Sequence, residues 1–350
     1  DLPLFGDEAF GYGSAIRHIV VHGISLQPKN IPYDYAFGHP QLHTACVALV
    51  AKFTGVSPLG LHKAQLIWNL ILLSFTVAVL AFKSKATWNL IFLFCCLMLT
   101  QPIILTQSYM LSSEFMLGIL LMAVFLFSLR KQFLIATLFG LASVWVKETG
   151  IFSIAIVFLS QFIGASRSSI KMDRRAIVAS VFIAIGFGAY VLLQNCQMGY
   201  FLSPTHTGKM SFTLGEVWFR FSGGMKFVFL EQGRFLLLLV LLGYSIVLKF
   251  RISNKVLFSL WLVILFCMLS AILGHPLARY LLFPVVLLVW ISTVSLIKLI
   301  QVKPITKYTA LAMLSALLVL NTLSIDPFRS TVIRDVDKSY RNELFRAVED

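Results

Sequence analysis

Long apolar runs recur almost from one end of the chain to the other. An α-helix needs about 20 apolar residues to cross the hydrocarbon core of a bilayer, and shorter runs suit helices that neighbours surround. The runs occupy residues 61–82, 87–106, 115–129, 133–147, 149–163, 176–195, 234–249, 255–273, 279–298 and 306–323. This pattern predicts an all-α integral membrane protein with about ten transmembrane helices.

The polar segments divide the chain into three parts. We expect residues 1–60 to be an extracytoplasmic loop that carries two interfacial helices. Residues 7–22 have one apolar stripe at helical spacing, and the helix over residues 40–53 starts at Pro40. Residues 61–323 form the membrane domain, and residues 324–350 form a short extracytoplasmic tail. Translocation of the first loop requires one further helix upstream, which makes eleven.

Basic residues alternate along the connections between the apolar runs. One set of connections holds Lys83 and Lys85; Arg130 and Lys131; Arg167, Lys171, Arg174 and Arg175; Lys249, Arg251 and Lys255; and Lys298, Lys303 and Lys307. Of the fifteen acidic residues, only Asp173 lies in this set, and no histidine does. By the positive-inside rule these loops face the cytosol. The net charge of +14 is therefore a topology signal, and we predict no nucleic-acid partner.

Composition excludes a soluble protein and a disulfide framework. The chain is 58% hydrophobic and only 13% charged, whereas soluble chains are about a quarter charged. The five cysteines form no CxxC motif and mostly lie in apolar runs. Because all the histidines and all the acidic residues except Asp173 lie on the far side of the membrane, we expect any chemistry to take place there.

A charged break interrupts the apolar stretch 133–163. Lys147 and Glu148 followed by Gly150 predict a hairpin of two short helices whose charged turn is buried in protein. A charge pair inside an apolar stretch is costly unless it lines a polar cavity, which favours a functional role. The polar loop 196–233 contains Gly223-Gly224, and a short helix over residues 214–221 could fold over the site.

Other charged residues permit two interpretations each. Asp7 and Glu8 are either a helix N-terminus or a general base with its orienting partner. Glu114 can begin and cap an apolar helix or take part in chemistry. Arg279, beside His275 and Tyr280, can snorkel at the membrane boundary or bind a phosphate with its fork of donors.

Two histidine pairs have the i,i+4 spacing that can chelate a metal on a helix. They are His18 with His22 and His39 with His43. No HExxH motif and no acidic third ligand accompanies either pair, so we assign no metal site. Nucleotide-binding motifs such as GxGxxG and the P-loop are also missing from the sequence.

The order of these motifs resembles the GT-C glycosyltransferases, in particular the dolichyl-phosphate-mannose-protein mannosyltransferases and the bacterial lipid A aminoarabinose transferases. The similar segments are Asp7-Glu8-Ala9; residues 35–42 (YAFGHPQL) and 51–55 (AKFTG); Ser112-Ser113-Glu114; residues 140–142 (GLA) and 146–150 (VKETG); and residues 279–284 (RYLLFP). The family's usual basic residue and second proline are replaced here by His39 and Gln41.

The resemblance implies a GT-C fold and transfer of a sugar, with inversion, from a polyprenyl-phosphate carrier to an acceptor hydroxyl on a lipid, glycan or protein. It implies Asp7 as the base with Glu8 beside it, and Glu8 and Glu114 as residues that position the acceptor. Lys147, Arg279, His39 and Tyr280 are then the donor phosphate ligands. Apart from Glu148, neither Lys147 nor Arg279 has an adjacent acidic neighbour in the sequence. Relatives differ in metal use, so a divalent metal stays possible and no other cofactor is implied.

Two alternatives stay open from the sequence. A lipid or small-solute transporter would use similar spans and buried charges, although no repeated halves are visible. A family member that has lost catalysis would share every motif. For the enzyme, we expect the inner membrane of a bacterium, with the active site facing the periplasm and membrane lipids around the protein.

Overall fold

A computed structural model describes residues 11–36, 38–84, 88–163, 173–202, 210, 212–247, 254–274 and 278–302, with isolated positions between 308 and 319. In chain order its α-helices are α1 (Gly13–His22), α2 (Tyr33–Ala36), α3 (Leu42–Thr54), α4 (Pro58–Ser84), α5 (Trp88–Leu99), α6 (Pro102–Tyr109), α7 (Glu114–Leu129), α8 (Phe133–Val146), α9 (Phe152–Ser160), α10 (Arg174–Met198), α11 (Leu214–Phe229), α12 (Phe235–Val247), α13 (Asn254–Ile272) and α14 (Leu282–Val302). Short 3₁₀ turns occupy Pro28–Asn30, Glu148–Ile151 and Ala278–Leu281. Within this part of the chain no strand occurs, and the all-α prediction is confirmed.

Several helices are long and apolar enough to cross a membrane. They are α4 over Pro58–Ala78, α10, α13, and the run Arg279–Gln301 that contains α14. A fifth is possible if Leu90–Leu99 and Pro102–Tyr109 count as one broken span, since the two helices bend by 82°. Pro102 explains the break, because it has no N–H for an intrahelical hydrogen bond. Length and composition are thus compatible with a multi-pass membrane protein.

The remaining predicted spans coincide with shorter helices. They are Glu114–Leu129, Phe133–Val146, Glu148–Ser160 and Phe235–Val247. At 1.5 Å per residue such helices are about 20–24 Å long, less than the roughly 30 Å of hydrocarbon. The count of ten spans therefore stays a prediction. Most of the tenth predicted span, 306–323, and the tail 324–350 lie outside the described residues.

The chain forms two compact units, of which the first comprises Asp1–Ala86 and Gln107–Lys209. Its centre is α7, whose side chains from Glu114 to Ser128 are all buried. Helices α4, α8 and α9 pack around α7, and α10 packs on α8 and α9. The position of α7 explains why a helix too short to span alone is apolar on every face.

The two helices predicted in the loop 1–60, α1 and α3, pack against other helices of the unit. Ile16 and Ile19 of α1 are fully buried in a core that includes Val47 of α3 and Leu61 of α4. The apolar stripe predicted for membrane contact is thus occupied by packing within the unit. Both helices end where predicted, α1 before Gly23 and α3 before Gly55.

The second unit comprises Thr87–Thr106 and Met210–Asp350. Helix α14 is its hub and contacts α5, α12 and α13. The short helix expected over residues 214–221 extends to Phe229, and Gly223-Gly224, expected in a loop, lie inside it. Leu281 lies against Gly224 of α11, where a Cβ would be in ordinary van der Waals contact, 3.4 Å from the leucine side chain.

Candidate functional site

Glu114 and Lys147 meet because of the hairpin that α7 and α8 form. Residues 130–132 connect these two helices, which pack side by side. Glu114 begins the 16-residue α7 and Lys147 follows the 14-residue α8, so helices of similar length bring both residues to the same end. Lys147 Nζ donates to Glu114 Oε1 at 2.6 Å, and the side chains are only 2% and 4% exposed.

This ion pair corrects one expectation about Lys147. The sequence offered Glu148 as its only acidic neighbour, but the structure pairs it with Glu114, 33 residues earlier. The residue assigned to the acceptor and the residue assigned to the phosphate therefore contact each other. Lys147 is a buried cation held by a buried carboxylate.

Glu148 points to a different partner. Lys147 has an extended backbone (φ −161°, ψ 150°), in which the side chain of the following residue points the opposite way. His39 Nδ1 donates to Glu148 Oε2 at 2.9 Å, the direction required because a carboxylate only accepts. These side chains are 11% and 16% exposed, so this second pair has access to the surface.

The turn between α8 and α9 depends on Gly150. Gly150 N donates to Lys147 O at 2.8 Å and closes the 3₁₀ turn. A Cβ on Gly150 would lie 2.2 Å from Ser143 O and 2.3 Å from Ser143 C, which are backbone atoms that cannot rotate away. Glycine here allows the turn to fold back onto α8, and this sets the directions of both ion-pair side chains.

His43 lies within the electrostatic reach of the first pair. Its Nε2 is 2.9 Å from Gln65 Oε1, and Gln65 Nε2 donates to Ser112 O at 3.2 Å. Because Gln65 uses its amide nitrogen on Ser112, its oxygen faces His43, which makes Nε2 the protonated nitrogen. Burial lowers the pKa of His43 to about 4, Gln65 and Glu114 oppose this, and Lys147 adds to it. His43 is therefore neutral at physiological pH.

Tyr12 brings the N-terminal region to the same place. Its hydroxyl lies 3.1 Å from Ser113 Oγ, directly before Glu114, and its ring packs edge-on against His43. The predicted catalytic residues Asp7 and Glu8 lie outside the described residues. Sequence reasoning missed Tyr12 and Gln65. A glutamine in the first turns of the apolar run 61–82 was the available signal for Gln65.

The remaining predicted phosphate ligands, Arg279 and Tyr280, belong to the second unit. They lie in the 3₁₀ turn Ala278–Leu281. The guanidinium is 5.3 Å from the centroid of the Tyr280 ring, and Arg279 Nη2 is 3.5 Å from the Tyr280 hydroxyl. The neighbouring His275 lies outside the described residues.

The second unit also holds a buried arginine that sequence reasoning did not select. Arg234 is fully buried and donates to the carbonyls of Phe227 and Val228, the last turn of α11. It also donates to Gln101 Oε1 at 3.3 Å and Gln232 Oε1 at 2.7 Å. Because these acceptors include helix C-terminal carbonyls, Arg234 caps α11.

The histidine pairs take separate partners. His18 and His22 stack at 4.1 Å between ring centroids, and each has a ring nitrogen at a backbone carbonyl, of Asn30 and His18 respectively. His39 and His43 diverge toward Glu148 and Gln65. Within the described ranges, no three histidine, cysteine or acidic side chains are grouped so that they could hold a metal ion.

Comparisons of the chain with protein-family models, curated proteins and solved structures give no match. The geometry of the two ion pairs can be interpreted without a relative. The pairs Lys147–Glu114 and His39–Glu148 lie side by side at the end of α8. The first pair is buried and the second is partly exposed. Such a cluster combines nitrogen donors, which suit an anion, with carboxylate oxygens, which accept hydrogen bonds.

Proposed function

We propose that this protein is an inverting glycosyltransferase that moves a sugar from a polyprenyl-phosphate donor to an acceptor hydroxyl. The observation that carries the proposal is the buried pair Lys147–Glu114, at 2.6 Å, directly beside the pair His39–Glu148. The family resemblance supplies the reaction class, and the charged cluster supplies a place for it. The GT-C fold and the larger number of spans are part of the same proposal.

Stability alone does not explain these charges. Removing a charged side chain from water costs several kcal/mol per ion, and apolar residues of similar volume are often equally stable. Ionisable residues inside membrane proteins accordingly mark substrate or ion sites. Lys147 and Glu114 are retained at 2% and 4% exposure, although the rest of α7 and α8 carries no charged residue. This favours a functional role for the pair.

The proposed reaction is a single displacement at the anomeric carbon of the donor sugar. The Asp7 carboxylate accepts the proton of the acceptor hydroxyl, and that oxygen forms a bond to the anomeric carbon from the face opposite the phosphate. The bond between the anomeric carbon and the phosphate oxygen breaks, and polyprenyl phosphate leaves with one more negative charge. Cations rather than an acid stabilise this leaving group.

The residue roles follow the resemblance with one refinement. The resemblance assigns Lys147, His39, Arg279 and Tyr280 to the donor phosphate, and Glu8 to positioning of the acceptor. Glu114 accepts from Lys147, so we propose that it also orients the lysine Nζ for the phosphate. Nothing in this scheme requires a metal.

Chain connectivity is compatible with Asp7 as the base. Tyr12 contacts Ser113, next to Glu114. Five residues reach at most about 18 Å when fully extended, so Asp7 cannot be farther than that from the backbone of Tyr12.

The decisive experiment measures cleavage of polyprenyl-phosphate mannose by purified protein in detergent. Wild-type protein should release free polyprenyl phosphate only when an acceptor is present. Asp7→Asn should reduce release at least about a hundredfold, the usual lower range for loss of a general base. Arg279→Lys should weaken donor binding, because a point charge does not replace a two-pronged fork.

A matched pair of variants separates chemistry from folding. Lys147→Met combined with Glu114→Gln removes both buried charges, so it should fold but transfer no sugar. Arg175→Ala removes an exposed ion pair with Asp173 and should keep full activity. Normal transfer by the double variant would remove the pair from the site. Donor that crosses a liposome bilayer uncleaved would establish the transporter instead.

Orientation has a separate test. We propose that the site faces the periplasm across a bacterial inner membrane. In a variant whose native cysteines are replaced by alanine, single cysteines at Ser168 and Ser253 should be shielded from an impermeant thiol reagent in intact cells, and one at Ser203 should react. Labelling of Ser168→Cys from outside would reverse the proposed sidedness.

A further inference from the structure

The segment that carries His39 is held from both sides by side chains. Residues 38–41 form no regular helix, and Gly38 has a left-handed backbone (φ 71°) that favours glycine. Gln41 Nε2 donates to His39 O, and Thr44 Oγ1 donates to Gln41 Oε1 at 2.7 Å. The carbonyl of His39 itself is therefore fixed from within the segment.

The carbonyl before His39 is fixed by α10. The Tyr190 hydroxyl donates to Gly38 O at 2.7 Å, and Gln194 Nε2 donates to the same oxygen at 2.8 Å. The two donors are one helical turn apart and are 1% and 0% exposed. A carbonyl has two lone pairs, so this oxygen is fully used.

These two bonds are not needed to dock α10. Helix α10 already packs closely on α8, because Gly140 admits the side chain of Ile183 and Gly186 admits that of Leu141. Close approach of helices at small residues is a sufficient packing device in membrane proteins. Tyr190 and Gln194 instead add buried polar groups to an apolar helix where it passes the His39 segment.

Helix α10 also contacts the turn that carries Glu148. The same helix therefore supports both members of the pair His39–Glu148, one through hydrogen bonds and the other through packing. Because Nδ1 is bonded to Glu148, a contact between His39 and a ligand would be made by Nε2. An N–H group that meets an anionic oxygen forms a charge-assisted hydrogen bond.

We infer that Tyr190 and Gln194 are positioning residues, which hold the Gly38 carbonyl so that His39 presents Nε2 to the donor phosphate. The identity of the ligand rests on the proposed function, whereas the positioning does not. Sequence analysis selected neither residue, although a tyrosine and a glutamine four residues apart in an apolar run were visible.

The test uses Tyr190→Phe and Gln194→Leu in the full chain. Tyr190→Phe removes one hydroxyl and keeps the ring against Trp145, 5.8 Å between centroids, so the fold should be retained. Gln197→Leu is the matched control on the same helix, because it removes a glutamine bond to Lys29 N, away from His39. Thermal unfolding in detergent verifies that all three variants are folded.

The first measurement is steady-state cleavage of polyprenyl-phosphate mannose. Each positioning variant should raise the donor KM roughly three- to tenfold, the equivalent of one hydrogen bond, with little change in kcat. In a His39→Asn background, Tyr190→Phe should have no further effect, because the two residues act through one contact. Additive losses in that background would overturn the inference, as would an equal KM effect of Gln197→Leu.

The second measurement needs no turnover. In protein labelled with ¹⁵N-histidine, the His39 resonances, identified by their loss in His39→Asn, should move in Tyr190→Phe and Gln194→Leu and stay in place in Gln197→Leu. Unchanged His39 resonances in both positioning variants would overturn the inference. If wild-type protein cleaves no donor, the proposed function fails, while these spectra still decide the positioning.

Discussion

Two ion pairs lie on consecutive residues of one turn, yet their surroundings differ. Lys147 and Glu114 are 2% and 4% exposed, whereas His39 and Glu148 are 11% and 16% exposed. The first pair joins α7 to α8 in a dry environment, and the second joins a loop to the turn at its edge. A change in the first pair should therefore affect both stability and donor binding, whereas a change in the second pair should affect donor binding with little effect on stability.

The largest expected effect comes from breaking the dry pair on one side. Lys147→Met leaves the Glu114 carboxylate buried without its cation, and such losses cost about 3–5 kcal/mol of unfolding free energy. Lys147→Met with Glu114→Gln should recover most of that loss. Thermal unfolding in detergent, with monodispersity on size exclusion, measures both. A single variant as stable as wild type would show that the pair is not sealed.

Acidification should weaken the same region through His43. Its pKa is about 4 in the folded protein against 6.5 when unfolded, so between these values the unfolded chain takes up a proton that the folded chain refuses. The contribution is complete above pH 6.5 and is lost as pH falls toward 4, by roughly 3 kcal/mol in all.

Comparison with His43→Gln isolates this effect. Glutamine can keep a hydrogen bond to Gln65 and has no proton to take up. The variant should therefore show a flatter decline of unfolding free energy between pH 6.5 and 4 than wild-type protein. Equal declines would mean that His43 is not the group responsible.

The turn that separates the two pairs is the next target. Gly150→Ala places a methyl group 2.2 Å from Ser143 O, and overpacking of this kind costs about 1–3 kcal/mol. Displacing the turn should weaken both pairs at once. Gly188→Ala on α10 meets no atom within 4 Å and should be neutral or slightly stabilising. Equal melting temperatures for the two alanine variants would contradict this packing.

The smallest stability effect is expected at the open pair. Glu148→Gln keeps the size of the side chain and an oxygen that accepts from His39, so the unfolding free energy should fall by only about 1 kcal/mol. Donor cleavage should fall much more, because the His39 ring loses the carboxylate that orients it. If stability fell as far as in Lys147→Met, the contrast between the pairs would not hold.

Much of the architecture follows from local patterns. Apolar runs are sufficient to predict helices. Gly23 and Gly55 mark the ends of α1 and α3, and Gly150 marks the turn between α8 and α9. The charged break at Lys147 and Glu148 correctly predicts a hairpin, since a charge pair cannot continue an apolar helix. The break at Pro102 was missed, because the apolar run 87–106 continues through it.

The partners of the charged side chains do not follow from local patterns. The sequence by itself determined that Glu114, Lys147, Glu148 and His39 exist in an apolar chain and had to be accommodated at helix ends. Only the tertiary structure decided that Lys147 binds Glu114, that Glu148 binds His39, and that α10 holds Gly38. Hydrophobic periodicity is a property of neighbouring residues, whereas a hydrogen bond between residues 33 to 156 positions apart depends on how whole helices pack.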